Sequence, residues 1–313
     1  MLGNNRLTIG SWNAWSGCVA GTDGYHSDNA VVDFIAEEAG EFDIFGLYEV
    51  HCKRSTHPER FAMPRNPKGR PGPLDLELGD RLIARLKRTH RHLYVGNFTT
   101  SALHDCEASL IPVDYGNLVF IRREVQIQGT VRSYIYGMGE LNTEDRETRR
   151  GRIASRRAIG LTVALGNHNL TMLFVHGVWS KHGKIDMPAR LVQSSNMAKA
   201  IIAQRRRLKL DVVNPATLIM GDLNYTSDLK AMEFLLDHKD AFGNQRGINL
   251  NSEFGILNTR TRHYPWDKPT REANFALVSQ LTNQFVENYD SNDQVPSDHA
   301  LLRLTLNTSP GTR

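Results

Sequence analysis

Five times along this 313-residue chain, a run of apolar or β-branched residues meets a side chain able to do chemistry. LTIGSW stops at Asn13, IFGLY at Glu49, LTMLFV at His176 and TLIMG at Asp222; the fifth case is inverted, with Ser297-Asp298-His299 standing directly before ALLRLTL. Short apolar runs bounded by glycine, proline or polar residues have the pattern of buried strands. A single polar strand end is most often a turn residue or a helix cap. Strands that share a core bring their ends together, however, so five such residues predict a common rim.

The most informative stretch is ATLIMGDLNYTSD, residues 216–228. Pro215 and Gly221 bound a strand over Thr217 to Met220, and the period-two alternation of side chains predicts that Asp222 and Asn224 point to the same side of its end. An aspartate can orient and deprotonate a water, and an asparagine can donate to a phosphoryl or carbonyl oxygen without adding charge. The pair suits hydrolysis.

The rest of the chain supplies ordinary elements. Strands are expected at Tyr94–Phe98, Gly116–Ile121, Val125–Ile127 and Val131–Tyr136, arranged as a meander, and at Ala158–Leu165 and Leu170–Val175, a hairpin around Gly166-Asn167. The last two strands are Ala273–Val278 and Ala300–Leu306. Helical spacing appears at Asn29–Ala39, closed by Gly40, at Leu74–Arg88, from Pro188 to about Arg206, and around Met232, Leu235 and Leu236. His51 to Pro73, with five prolines and many basic residues, is expected to be a long loop, and Asn142 to Arg152 a charged one.

Composition excludes large-scale disorder: 40% of residues are hydrophobic and 23% charged. Three cysteines, Cys18, Cys52 and Cys106, form neither a metal pattern nor an even disulfide set. No apolar run reaches membrane-spanning length and the first ten residues lack a signal-peptide pattern, so a reducing, cytoplasmic setting is expected. The net charge of +4 is modest, but basic residues gather at Lys53–Arg70, Arg146–Arg157 and Arg205–Lys209. Such clusters attract polyanions, and a merely solvated face carries them as well.

Donor types narrow the chemistry. Glu49, Asn13, Asp298 and Asp222 are hard oxygen donors, suited to Mg2+ or Mn2+ rather than zinc. The chain has no GxSxG, HExxH or phosphate-cradling GK[ST] loop. Metal-assisted attack of water on a phosphate ester remains.

LTIGSWNAW, IFGLYEV, TMLFVHGVW, LIMGDLNYTSD and PSDHALL resemble, in this order, the successive motifs of the endonuclease/exonuclease/phosphatase superfamily, which includes deoxyribonucleases. The resemblance implies an α+β fold in one domain over 1–313: a four-layer α/β/β/α sandwich of two mostly antiparallel sheets flanked by helices, with the site at one end. It also implies roles. Glu49 would be the principal metal ligand, completed or supported by Asn13 and Asp298. Asp222 would align or deprotonate water, Asn224 would hold it or a phosphoryl oxygen, His299 would donate to the phosphoryl oxygens, and His176 would act near the leaving oxygen. One position departs from the pattern. Where the family usually carries an aspartate to pair with the terminal histidine, this chain aligns Asn274, which can orient His299 but cannot stabilise its protonated form as a carboxylate does. Either the histidine is tuned differently here, or another acid, Glu272 or Asp293, takes that role.

Substrate contacts are expected from Trp179 and Lys184, which follow His176 in GVWSKHGKIDMPAR, and from Asn117 and Asn274. The function these features imply is a Mg2+-dependent phosphodiester hydrolase with nucleic acid as substrate and no obligate protein partner. Two alternatives stay open: an enzyme for a small phosphorylated molecule or lipid head group, and a catalytically silent nucleic-acid-binding protein.

Overall fold

The alternation of side chains along each strand decides which way every layer faces. The computed structural model describes residues 5–14, 29–53, 77–99, 113–136, 156–179, 184–260, 272–295 and 297–309. Its strands are β1 (Arg6–Asn13), β2 (Ile44–Lys53), β3 (His90–Thr99), β4 (Val113–Arg122), β5 (Ile127–Tyr136), β6 (Arg156–Leu165), β7 (His168–His176), β8 (Ala216–Asp222), β9 (Ile248–Asn249), β10 (Asn274–Val278), β11 (Val286–Asn292) and β12 (Leu301–Asn307). The helices are α1 (Asn29–Gly40), α2 (Leu78–Leu86), α3 (Pro188–Arg207), α4 (Lys230–Leu236), and the short α5 (Lys239–Phe242), α6 (Leu250–Glu253) and α7 (Gln280–Asn283).

Two six-stranded sheets result, ordered β11-β12-β1-β2-β4-β3 and β5-β6-β7-β8-β10-β9. Among the described residues only β1–β2 and β7–β8 pair in parallel, so each sheet is mostly antiparallel, as expected. Between the sheets lies one core, to which β1 gives Leu7 and Ile9, β7 gives Leu170, Met172 and Phe174, β8 gives Leu218 and Met220, and β12 gives Leu302, Leu304 and Leu306. The intervening residues face outward. Trp12, Phe45 and Leu47 pack with α1 and α2, whereas Leu173, Val175 and Ile219 pack with α3, α4 and α5. This is the four-layer sandwich.

Several local expectations need correction. Residues 51–53 extend β2 and His51 and Cys52 are buried, so the expected loop does not begin at His51; its remainder, 54–73, lies outside the described residues, as does 142–152. Cys52 is buried, and Cys18 and Cys106 lie outside the described residues. The meander is broken, because β4 pairs with β2 and β3 in one sheet while β5 pairs with β6 in the other. Val125–Ile127 and Val131–Tyr136 are not two strands; Ile127–Tyr136 is continuous through an irregular pairing at Gly129. Finally, β11 is an edge strand that the sequence pattern did not reveal.

Candidate active site

On four strands the core-facing row becomes polar at the same end of the sandwich. On β1 the row runs Leu7, Ile9, Ser11, Asn13, and on β7 it runs Met172, Phe174, His176. On β8 it ends Leu218, Met220, Asp222, and on the antiparallel β10 it begins at Asn274 before Ala276 and Val278. Parallel pairing sets His176 beside Asp222, and antiparallel pairing sets Asn274 on its other side. The site is thus the polar continuation of the core between the sheets.

Cross-sheet hydrogen bonds concentrate here. Asn13 Nδ2 donates to Asp222 Oδ2 at 3.0 Å and faces Glu49 Oε1 at 3.3 Å. The Tyr48 hydroxyl donates to the Met220 carbonyl across the gap at 3.0 Å, and burial pushes its pKa well above the ordinary value, against the opposing effect of Ser11. Gly221 makes that approach possible: at φ +145° a Cβ would lie 2.0 Å from the Val175 carbonyl and 2.8 Å from the Tyr48 hydroxyl. Asn117 Nδ2 ties β4 to β6 through the Arg157 carbonyl at 2.8 Å, and Asn117 Oδ1 is buried with no hydrogen-bond partner among the described residues.

Two site residues have left-handed backbones. Glu49, at φ 57°, sits where the β2–β4 register shifts between Leu47 and Val50, and this irregularity re-aims its carboxylate. Its carboxylate is 3.6 Å from His176 Nε2. Asn224, at φ 54°, has left the strand, so alternation does not set its direction. A turn does: Asn224 N donates to Asp222 Oδ1 at 2.9 Å, while Asn224 Nδ2 reaches the Gly177 carbonyl at 3.3 Å. The two residues are indeed neighbours, but for a different reason from the one expected.

His299 enters from the segment before β12. Its Nε2 lies 3.5 Å from Asp222 Oδ2 and 3.6 Å from Asp298 Oδ1, and its Nδ1 is 3.0 Å from Asn274 Oδ1. Since Asn274 Nδ2 donates to the Ala300 carbonyl, its oxygen faces the ring and accepts the Nδ1 proton. Neither suggested acid substitutes: Glu272 accepts from Ser227 N and Oγ, and Asp293 accepts from Gln294.

Sequence reasoning missed Arg260. Its guanidinium donates to Asp298 Oδ2 at 2.7 Å and contacts His299 Nε2. It lies in an aperiodic segment, pinned by a hydrogen bond from its own N to Asn258 Oδ1 and by a bridge to His299, so no strand pattern marks it. Lys184 Nζ is buried near Arg260 and Asp222; burial first, then Arg260, lowers its pKa to about 7. Trp179 is 63% exposed rather than packed in the core.

The residues present fit a hard divalent ion in part. Glu49 offers a carboxylate whose side chain is 14% exposed, and Mg2+ commonly binds one or two carboxylates and keeps several waters. Asn13 turns its amide nitrogen toward both acids, so ligation through Oδ1 requires the amide to rotate, and Arg260 already engages Asp298. Among the described residues there is no cluster of three or more His, Cys, Asp or Glu side chains that could hold a metal ion.

The basic clusters divide. Arg156, at the end of the second, donates to the Gly177 carbonyl beneath the site. Arg205, in the third, is buried and bonded to the Asp211, Asn169 and Ala216 carbonyls, which places it where β7 and β8 begin, opposite the site. Among the described residues no helix is long and apolar enough to cross a membrane.

Solved structures share the fold at low identity. A protein described as endonuclease/exonuclease/phosphatase from Beutenbergia cavernae aligns with TM-score 0.63 and 17% identity, over 97% of this chain and 72% of that one. The human Nocturnin catalytic domain with bound sulfate aligns with TM-score 0.54 and 13% identity, over 97% and 95%. Truncated Caenorhabditis elegans TDP2 aligns with TM-score 0.51 and 12% identity, over 98% and 99%. No curated protein matches by sequence. Residues 10–299 do match the model of the Endonuclease/Exonuclease/phosphatase family, whose members hydrolyse phosphoester bonds and generally use divalent metals, and the chain belongs to that family.

Proposed function

We propose that this chain is a divalent-metal-dependent phosphodiester hydrolase acting on nucleic acid. One observation carries the reading: Asp222, buried at the meeting of the sheets, receives Asn13 Nδ2 on one oxygen and Asn224 N on the other, with His299 Nε2 3.5 Å away. Those two donors orient the carboxylate, so that it can align a water and take its proton. His299, held through Nδ1 by Asn274, aims Nε2 at the centre, where in its protonated form it donates to phosphoryl oxygens as negative charge grows on them. His176, on the far side beside Glu49, faces the leaving oxygen. A divalent ion bound at Glu49, with Asn13 and Asp298 in support, would supply Lewis-acid neutralisation of that charge.

The same groups can serve a small phosphoester. That reading gains from Arg205, which holds backbone carbonyls at the opposite end and is not part of a basic track leading to the site. Incubation with Mg2+ against supercoiled plasmid, single-stranded DNA, RNA and bis(p-nitrophenyl) phosphate, beside Asp222→Asn, separates the readings. Nicking that disappears in the variant supports the nuclease. Turnover of the small ester alone moves the assignment to the small-phosphoester enzyme, and binding without turnover moves it to a silent nucleic-acid-binding protein.

A further inference from the structure

We infer that Lys184 and Arg260 form an anion subsite beside the reacting centre, which receives a phosphate group adjoining the one hydrolysed. The substrate would then be a phosphoester with a second phosphate next to it rather than an isolated ester. The substrate part of this inference rests on the hydrolase reading above; the anion subsite does not.

The starting point is an energetic oddity. Lys184 Nζ is buried and has no hydrogen-bond partner among the described residues. A buried ammonium without an acceptor is costly, and a neighbouring guanidinium makes it more so. The charged groups that act on Lys184 are Arg260, Asp222, Arg190 and Glu272. The two acids do not relieve it by hydrogen bonding: Asp222 accepts from Asn13 and from Asn224 N, and Glu272 accepts from Ser227. What the ammonium lacks is an acceptor carrying negative charge, and a phosphate oxygen supplies one.

Position favours a neighbouring phosphate over the scissile one. Asn13, Asp222, His299 and Asp298 form a chain of close polar contacts around the centre, whereas Lys184 has no hydrogen bond to any of them. It arrives instead on the segment leading into α3, where Arg260 and then Asp222 are the charged groups that act on it most strongly. Arg260 borders both regions, since it holds Asp298 and His299 and is the largest charged influence on Lys184. An anion at Lys184 would therefore lie next to the reacting phosphate without displacing it.

The test uses sulfate, which stays a dianion across the useful pH range, titrated into the full chain in EDTA by calorimetry. The wild type is expected to bind at about pH 6 and to weaken as pH rises through about 7, where the ammonium loses its proton. Lys184→Met should bind about tenfold more weakly or worse at the lower pH. Lys184→Arg should keep the affinity and lose the pH dependence, and thermal unfolding checks that both variants fold. Sulfate affinity equal in wild type and Lys184→Met, or no sulfate binding at all, overturns the subsite.

A second arm compares KM for TpT, pTpT and TpTp with Mg2+. One terminal phosphate should lower KM in the wild type and not in Lys184→Met. Equal KM for all three dinucleotides overturns the adjoining-phosphate assignment. Lys184-dependent sulfate binding without turnover of any dinucleotide supports the anion site and overturns both the diesterase reading and the substrate assignment built on it.

Discussion

His299 Nδ1 lies 3.0 Å from Asn274 Oδ1, and the same Asn274 side chain donates through Nδ2 to the Ala300 carbonyl. One amide therefore sets the tautomer of the ring and anchors the backbone that carries it. A carboxylate in this place can do the first job but not the second.

Asn274→Asp should consequently act in two directions. The imidazolium gains a counter-charge, so the alkaline limb of the pH–rate profile should move to higher pH. The Ala300 carbonyl loses its donor and faces an acceptor, so stability should fall by about 1–3 kcal/mol. A pH–rate series and urea denaturation measure the two effects. An unmoved profile would mean that Asn274 does not orient a titrating histidine.

Arg260→Met should lower the midpoint of thermal unfolding without divalent ions, because Asp298 loses a buried partner at 2.7 Å. Adding Mg2+ should recover more stability in the variant than in the wild type, since an acidic group is released for the cation. Scanning calorimetry with and without Mg2+ checks this; equal recovery would show that Arg260 and the ion do not compete.

Glu49 and Asn224 separate backbone strain from chemistry. Glu49→Gln keeps the φ 57° backbone and removes the charge, and turnover should drop by about 10²-fold or more with little change in unfolding midpoint. Asn224→Gly suits φ 54° better than asparagine, so stability should stay within about 1 kcal/mol of wild type while turnover falls. Parallel loss of folding and activity in Asn224→Gly would show that the side chain is structural.

Lys184 makes stability depend on pH with a definite sign. Its folded pKa, about 7, lies below the ordinary 10.5, so between those values the unfolded chain binds more protons than the folded one. Stability should then rise with pH across that window, having been lowest below it. Lys184→Met removes the effect, so its gain over wild type should be larger at about pH 6 than at about pH 9 in denaturant titrations. A gain that does not vary with pH would show that the lysine is not buried as an ammonium.

Arg205→Met should destabilise the fold by about 3 kcal/mol, because several carbonyls lose a buried donor, and should leave kcat and KM for nucleic acid unchanged. A rise in KM with unaltered stability would instead place that end of the molecule in contact with substrate.

What could be seen in the sequence followed from strand register. Asn13, His176 and Asp222 were accessible because each ends a continuous apolar run, and the core-facing row of such a run extends directly into the site. Asn224 was placed correctly on a mistaken ground, since a turn on Asp222 aims it. Strand β11 was invisible because VENYDSN buries only Val286 and Tyr289, with a register shift after Val286, so neither alternation nor a continuous apolar run appears. Arg260 had no periodic context at all; what locates it is a turn at Asn258 and the bridge to His299, and those are facts of tertiary structure.

The division of the centre between two sheets has a mechanical consequence. Asn13 and Glu49 ride on one slab and His176, Asp222 and Asn274 on the other, with Tyr48 pinning the slabs together just below. A slip of one slab over the other would pull donor from acceptor throughout the catalytic group while leaving each slab's own ladder intact. Trimming a deep interlayer side chain such as Phe174 should therefore dull the enzyme at temperatures where the protein is still folded.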